Sequence, residues 1–294
     1  MERKMEVPRD YMYGKICMIT GASSGIGKIT ALELAKLGAT VVIVCRDRNR
    51  GEAARSEIQS TSGNQSVELL LADLSEQRAI RQLAQDFLQR YQQLHVLVNN
   101  AGVALNKRII TEDGLEKTFA VNYLAYFLLT HLLLDVLKAS TPARIVNVSS
   151  NSQAFGSIHF DDLQGEKHYS IARAYCQSKL AVVYFTYELP RRLDGTGVTV
   201  NCLHPGQVAT NMNYSVTGLF GLLGRVVRPF ALDPERGART SIYLASSPEV
   251  EDVTGKYFVK CKQARSSRIS YDEFVSQRLW KMSEELTKLN ECMQ

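Results

Sequence analysis

The sequence predicts an α/β fold: a doubly wound parallel sheet with helices on both faces, formed as a single domain over residues 1–294. Three observations carry that expectation. Short runs rich in Val, Ile and Leu alternate with helix-length amphipathic stretches, the pattern of successive right-handed βαβ units. The first run ends in a glycine-rich turn that opens directly into a helix. The polar motifs then fall just behind apolar runs, where the carboxyl ends of parallel strands collect ligands.

The first strand covers 16–19 and leads into Thr20, Gly21, Ala22, Ser23, Ser24, Gly25, Ile26 and Gly27, after which 28–37 repeats apolar residues at helical spacing. Glycines in such a turn let the backbone approach a pyrophosphate, and a helix N-terminus offers unpaired N–H groups with a partial positive charge. The spacing of Gly21, Gly25 and Gly27 departs from G-x-G-x-x-G, so the nucleotide reading rests on the strand before and the helix after. Gly38 closes the helix, and 40–45 is a nearly continuous apolar run, as suits a parallel strand buried on both faces. Arg46 stands directly behind it. An acidic residue there would accept hydrogen bonds from the adenosine ribose, whereas an arginine accommodates a 2′-phosphate, which points to NADP rather than NAD.

The alternation continues with helix 51–60, strand 67–71 ending at Asp73 and Leu74, helix 76–91, and strand 94–98 ending at Asn99, Asn100, Ala101 and Gly102. A long helix over 111–137, strand 144–148 ending at Ser149 and Ser150, helix 172–193 and strand 198–203 complete it. No repeat or linker divides the chain, hence one domain. The rhythm lapses over 211–232, an apolar, glycine-rich insert that reads as an active-site lid, a membrane contact or an ordinary buried loop helix. An amphipathic helix is expected over 270–289, with Ser270 as N-cap and Phe274, Leu279, Trp280 and Leu286 packing.

Composition narrows the function. With 45% apolar residues the chain can bury a sizeable core, and 35 Lys and Arg against 30 Asp and Glu leave a formal charge of +5. The basic residues are dispersed; the densest group is Lys256, Lys260, Lys262, Arg265 and Arg268. No nucleic-acid-reading motif accompanies it, so nucleic acid is excluded as the expected partner and an anionic membrane surface stays open. Six widely spaced cysteines without C-x-x-C fit a reducing compartment. Residues 1–15 are charged and no apolar run reaches 18 residues, so a cytoplasmic protein without signal peptide or membrane span is expected. The five histidines, His95, His131, His159, His168 and His204, lack zinc-ligand spacing, and no metal is expected.

Tyr175 and Lys179 supply the chemistry. Four residues apart on a helix, they project into the same space. A free phenol titrates near about 10, and an adjacent ammonium favours the phenolate, so the pair is expected to exchange protons near neutrality.

With these motifs in order, the chain resembles the short-chain dehydrogenase/reductases over nearly its whole length: Thr20-Gly21 with Gly25 and Gly27, Asp73, Asn99-Asn100-Ala101-Gly102, Asn122, Ser150, Tyr175 with Lys179, and Pro205-Gly206. Within that family, Ile158-His159-Phe160, Leu163 to Lys167, Ala174-Tyr175-Cys176, Arg191-Arg192-Leu193 and Arg278-Leu279-Trp280 look like the retinol dehydrogenase group. The resemblance implies a Rossmann fold and NADP(H)-linked interconversion of a lipophilic aldehyde or ketone and its alcohol. It implies Tyr175 as general acid, Lys179 as the group that acidifies it and holds the nicotinamide ribose, Ser150 as the partner of the substrate oxygen, and Asn122 as anchor of a water path. It further implies that Gly21, Ser23, Ser24, Gly25, Ile26 and Gly27 wrap the pyrophosphate and that Arg46 meets the 2′-phosphate. Asp73 and Leu74 would flank the adenine, Asn100, Ala101 and Gly102 would line the adjacent ribose, and Pro205, Gly206, Val208 and Thr210 the nicotinamide end. Homo-oligomers are compatible with the resemblance. Two alternatives stand beside this reading: a non-catalytic NADP-binding regulatory protein of the same fold, and a reductase of a conjugated ring double bond.

Overall fold

In the second strand Val41, Val42, Ile43 and Val44 are all buried, and successive side chains point to opposite faces, so this strand must be covered on both sides. A computed structural model, described over residues 10–206 and 234–289, shows how the chain achieves this. Eight strands form one sheet: β1 (Ile16–Thr20), β2 (Thr40–Cys45), β3 (Val67–Leu71), β4 (Val96–Asn99), β5 (Ala143–Val148), β6 (Val198–His204), β7 (Lys256–Val259) and β8 (Lys262–Ala264). Their order is β3-β2-β1-β4-β5-β6-β7-β8, parallel throughout except for the antiparallel β7–β8 pair. The order reverses between β1 and β4, which opens a crevice beyond the carboxyl ends of those two strands.

Each strand feeds two cores. Met18, Val42, Val44 and Leu97 face one layer, which contains α3 (Gln77–Arg90), α5 (Ala125–Leu132), α7 (Ile171–Arg192) and α9 (Glu273–Leu286). Cys17, Ile19, Val41, Ile43 and Val98 face the other, which contains α1 (Gly25–Lys36), α2 (Arg48–Ser62) and α8 (Pro234–Ser246). The cysteines Cys17, Cys45 and Cys202 are buried free thiols within this packing.

Several expectations need correction. The helix predicted over 111–137 is broken into a short α4 (Lys117–Phe119), a π-helical turn (Ala120–Leu124), α5 and α6 (Leu134–Ala139). It starts late because Gly114 takes φ +76° and the Glu116 carboxylate accepts from the N–H groups of Thr118 and Phe119, fixing the N-terminus there. The C-terminal helix begins at Glu273 rather than Ser270. The Asp272 side chain is its N-cap, whereas the Ser270 hydroxyl donates to the Ser267 carbonyl inside a preceding 3-10 turn (Arg268–Tyr271). Phe274 does not pack on the core: it is 74% exposed. The β7–β8 hairpin and α8 are absent from the sequence reading. The hairpin turns on Lys260 and Cys261, both at positive φ, where the residue pair that announces such a turn is normally Asn-Gly. The insert at 211–232 lies outside the described residues.

Trp280 seals α9 onto the sheet layer. Its ring lies 5.0 Å from both Phe127 and His131, the Arg192 guanidinium covers it at 4.0 Å, and its Nε1 donates to the Glu284 carboxylate at 2.8 Å. Truncating so large a buried ring removes transfer energy and leaves a cavity. Trp280→Ala is therefore expected to cost about 3–5 kcal/mol of unfolding free energy, read by circular dichroism in urea. A loss below about 1 kcal/mol would mean that α9 is docked by other contacts.

Candidate active site

The crevice above β1 and β4 is bounded first by the glycine-rich turn. Helix α1 begins at Gly25, and its N-cap Ser24 makes no side-chain cap, so the first N–H groups of the helix are left without a side-chain acceptor. Such a terminus attracts an anion. Ser24 is engaged differently, accepting a hydrogen bond from Arg50 Nη2 at 3.3 Å. Ser23 sets its hydroxyl against the Cys45 thiol. Ile26 turns its side chain to Ala238 and Ile242 of α8.

Two of the glycines serve packing as well as any ligand. A Cβ on Gly21, which has φ +66°, would lie 2.8 Å from Ala101 Cα. One on Gly27 would collide with the Asn100 amide and lie 2.6 Å from the Gly21 carbonyl. The turn is thus pressed onto the segment behind β4, and polar groups finish the seam. Asn100 Nδ2 donates to the carbonyls of Thr20 (2.8 Å) and Gly21 (3.3 Å), and the N–H groups of Asn100 and Ala101 both donate to Thr20 Oγ1.

At the end of β2, Arg46 is exposed and reaches Asp73 at 3.9 Å. Burial pushes the Asp73 carboxyl up, but two hydrogen bonds from Ser75 and the charges of Lys117 and Arg46 outweigh it, and the net shift is downward. Leu74 is buried in the core, so any contact it makes with a base would be through its main chain. Arg50, one turn into α2, is a cation that the sequence reading missed. Its signal was present: i,i+4 spacing from Arg46 after the strand. An open helix N-terminus beside two exposed guanidinium groups fits a dinucleotide carrying an additional phosphate.

The candidate reacting groups gather just behind β5 and on α7. Lys179 is 2% exposed, and its Nζ donates to the Val148 carbonyl at 2.9 Å; in return Ser149 Oγ donates to the Lys179 carbonyl at 2.8 Å. Ser149 is therefore occupied. The next residue, Ser150, caps a 3-10 turn (Asn151–Phe155) through Ser152 N–H and shares a hydrogen bond with the Tyr175 phenol. Lys179 Nζ lies 5.8 Å from the centroids of the Tyr175 and Tyr126 rings.

The expected acidification of Tyr175 is not what the structure shows. Burial pushes the phenol up to about 12; the Ser150 hydrogen bond opposes this and Cys176 adds to it. Burial also pushes the Lys179 ammonium down to about 7. With its ammonium disfavoured by burial and hydrogen-bonded to a carbonyl, this lysine is not among the groups that pull the phenol down.

Asn122 lies fully buried in the π-helical turn, a local widening that often marks functional positions. Its Oδ1 accepts from Val103 N–H (2.7 Å), and its Nδ2 donates to the Val103 carbonyl (2.9 Å) and Ser178 Oγ (3.0 Å). Both amide hydrogens are used, so the side chain clamps the segment behind Gly102 to α7. Further positioning residues were missed. Gly156 lets the strand-to-helix strap behind Ser150 touch α7, where a Cβ would lie 2.5 Å from the Cys176 carbonyl. Gln177 holds that strap through His159 N–H and the Leu163 carbonyl, and His204 accepts from Asn151 N–H. A lone glycine or glutamine in an irregular stretch carries no sequence signal. Pro205 and Gly206 follow β6 at the same edge of the sheet, with Gly206 at φ +91°; Val208 and Thr210 lie outside the described residues.

Comparison with known proteins agrees with this geometry. The sequence profile described as short chain dehydrogenase matches residues 15–218. The chain is 48% identical over 275 residues to retinol dehydrogenase 12 of Bos taurus, covering 94% of this chain and 87% of that protein. It is 45% identical to human retinol dehydrogenase 14, covering 95% and 88%. Among solved structures, an uncharacterized protein from Mycobacterium paratuberculosis superposes with a TM-score of 0.77 at 33% identity, over 94% of each chain. The active-site complex of Pseudomonas aeruginosa RhlG with NADP gives 0.69 at 27% identity, over 86% of this chain and 96% of that one.

The Lys179 shift has a signed consequence. Its folded value lies below that of the unfolded chain, so between about pH 7 and 10 the unfolded chain binds more protons and this group's contribution to stability rises with pH. Measured by urea unfolding at about pH 6, 7, 8 and 9, the wild type is expected to gain stability relative to Lys179→Met from pH 7 upward and to stay level with it below. A difference that does not vary with pH would show that Lys179 titrates as in the unfolded chain.

Proposed function

The chain belongs to the short-chain dehydrogenase family and is an oxidoreductase acting on CH–OH or carbonyl groups; from that premise we propose that it interconverts a lipophilic aldehyde or ketone, of the retinal type, and its alcohol with NADP(H). The observation that carries this reading is the convergence of Ser150, Tyr175 and Lys179 at the carboxyl end of β5, beside the open N-terminus of α1. NADP(H), held at the N-terminus of α1 with its additional phosphate toward Arg46 and Arg50, would supply the hydride for reduction and accept it in the reverse direction.

The chain's own residues handle the proton. Ser150 and Tyr175 share a hydrogen bond, so a carbonyl oxygen entering between them meets two hydroxyl groups. A phenol held near about 12 stays protonated at neutral pH, which suits a donor to an oxygen that gains negative charge during reduction. Tyr175 gives its proton to that oxygen and becomes phenolate. Lys179, whose ammonium is made more acidic by burial, returns a proton to the phenolate and is itself reprotonated from solvent. For a water relay through Asn122, Oδ1 accepts one bond, from Val103 N–H, and has a second acceptor position, while both amide hydrogens are engaged.

Support for a lipophilic substrate comes from the loops behind β4 and β5. Ile109, Ile110 and Phe155 expose large apolar side chains there, Phe155 to 81%. The retinol dehydrogenases similar to this chain are named for such a substrate. Arg46 and Arg50 support the phosphorylated cofactor.

Two measurements test the reading. Tyr175→Phe is expected to lower kcat with all-trans-retinal and NADPH by about 10²–10⁴-fold while NADPH binding persists; unchanged turnover would refute the assignment. Replacing Arg46 and Arg50 together with alanine is expected to raise the KM for NADPH by about 10–100-fold and leave that for NADH unchanged. Equal effects on the two cofactors would exclude a 2′-phosphate contact.

A further inference from the structure

The basic cluster at the end of the chain is not used by the catalytic reading, and the fold gives it a shape. Behind the β7–β8 hairpin lies a cavity of about 740 Å³, within the range of small-molecule sites. It is lined by Lys256 at the start of β7, Arg265 behind β8, and Arg268 in the turn before α9, together with Tyr187, Tyr257 and Tyr271. Tyr187 lies twelve residues beyond Tyr175 on α7, about 18 Å further along the helix, while Ser267, next to the lining residue Ser266, reaches back to Gln153 in the turn behind Ser150.

Its charged groups are of one sign. Among the described residues, Lys256, Arg265 and Arg268 make no ion pair. The acids next in sequence are committed elsewhere: Asp272 caps α9, and Glu273 pairs with Arg191 at 2.6 Å. Tyr257 is 3% exposed, and its hydroxyl is buried beside the Gln153 side chain rather than open to the cavity. Tyr187 stacks on Tyr271 at 5.2 Å with the planes 20° apart, and Tyr271 remains half exposed, so one ring surface is backed and the other is open to a second flat group. Three cations beside an aromatic wall complement an anion with several acceptor oxygens.

We propose that this cavity is a second ligand site, separate from the catalytic crevice, which takes a phosphate monoester whose attached ring or chain lies against Tyr271. The same phosphate chemistry can arrive as a soluble metabolite or as a phosphorylated lipid headgroup. In the second case the site would fasten this edge of the protein to a membrane.

The test uses the full chain saturated with NADP, so that phosphate probes do not report on the catalytic crevice. Phenyl phosphate is titrated by calorimetry, and binding is compared on phosphatidylcholine vesicles with and without phosphatidylinositol 4-phosphate. Saturable binding of phenyl phosphate that weakens at least tenfold in the Arg265→Ala, Arg268→Ala double variant supports a soluble ligand. Retention only on the phosphoinositide vesicles, lost in the same variant, supports a lipid headgroup. Lys260→Ala with Lys262→Ala removes the same charge outside the cavity lining and is expected to change phenyl phosphate binding less than twofold. Retinal reductase turnover, the control for folding, should be unaltered in both double variants. Absence of binding to either probe overturns the proposal, as does an equal loss in the two double variants, which would reduce the effect to surface charge.

Discussion

The arrangement of the candidate site depends on where one buried ammonium is held. Lys179 lies almost fully enclosed between β5 and α7, and a charge in that position must be hydrogen-bonded or lose its proton. The structure does part of both: Nζ donates to the Val148 carbonyl, and burial lowers its pKa to about 7. The reciprocal bond from Ser149 to the Lys179 carbonyl makes a two-way clasp between strand and helix. That clasp fixes the rotation of α7, and the rotation of α7 puts Tyr175 beside Ser150. One residue's difference along β5 separates the serine that builds the clasp from the serine that faces the phenol.

A second polar seam steadies the same elements from below. Asn99 and Asn147 are paired across β4 and β5, and Asn99 Nδ2 donates to both Asn147 Oδ1 and Thr130 Oγ1. Asn147 Nδ2 then donates to Thr186 Oγ1 on α7, and that hydroxyl donates to the Val182 carbonyl. All four side chains are fully buried, where an unmatched polar group is expensive, and apart from Asn99 Oδ1, which has no partner among the described residues, the chain of bonds specifies which helix faces which strand. The glycine-rich turn is positioned by a comparable contact. Gly21 and Gly27 let it lie against Ala101 and Asn100, which brings the N-terminus of α1 over the crevice. The catalytic and nucleotide ends are therefore set by close packing between segments distant in sequence.

Legibility followed regularity. Strands β2 and β3 were read with their observed ends, because continuous apolar runs between turn signals leave few other solutions. Helix α7 was read to within one residue at each end. Elements whose ends are made by side chains escaped: Glu116 and Asp272 cap helices later than the apolar period suggested, and the π-helical turn within 111–137 has no period of its own. The β7–β8 hairpin was hidden because Lys260 and Cys261 adopt the left-handed conformation without a glycine or asparagine to signal it. At the site, Arg46, Tyr175 and Lys179 were legible as candidates from type and position and Ser150 from the family resemblance, whereas Arg50, Gly156, Gln177 and His204 act through contacts that no local pattern encodes.

The amino-acid sequence by itself determined the parallel α/β class, the strand-turn-helix that opens the crevice, and the residues able to carry proton chemistry. Each follows from local periodicity or from residue type at fixed spacing. Tertiary structure alone decided the protonation balance between Tyr175 and Lys179. Spacing brings a cation near a phenol and suggests a more acidic hydroxyl, but the sign of the shift depends on how much water each group keeps. Burial, summed over neighbours contributed by β5, α7 and the strap behind Ser150, is a property of the folded ensemble of contacts. In this protein it outweighs the charge, leaving the phenol protonated and the lysine ready to give up its proton.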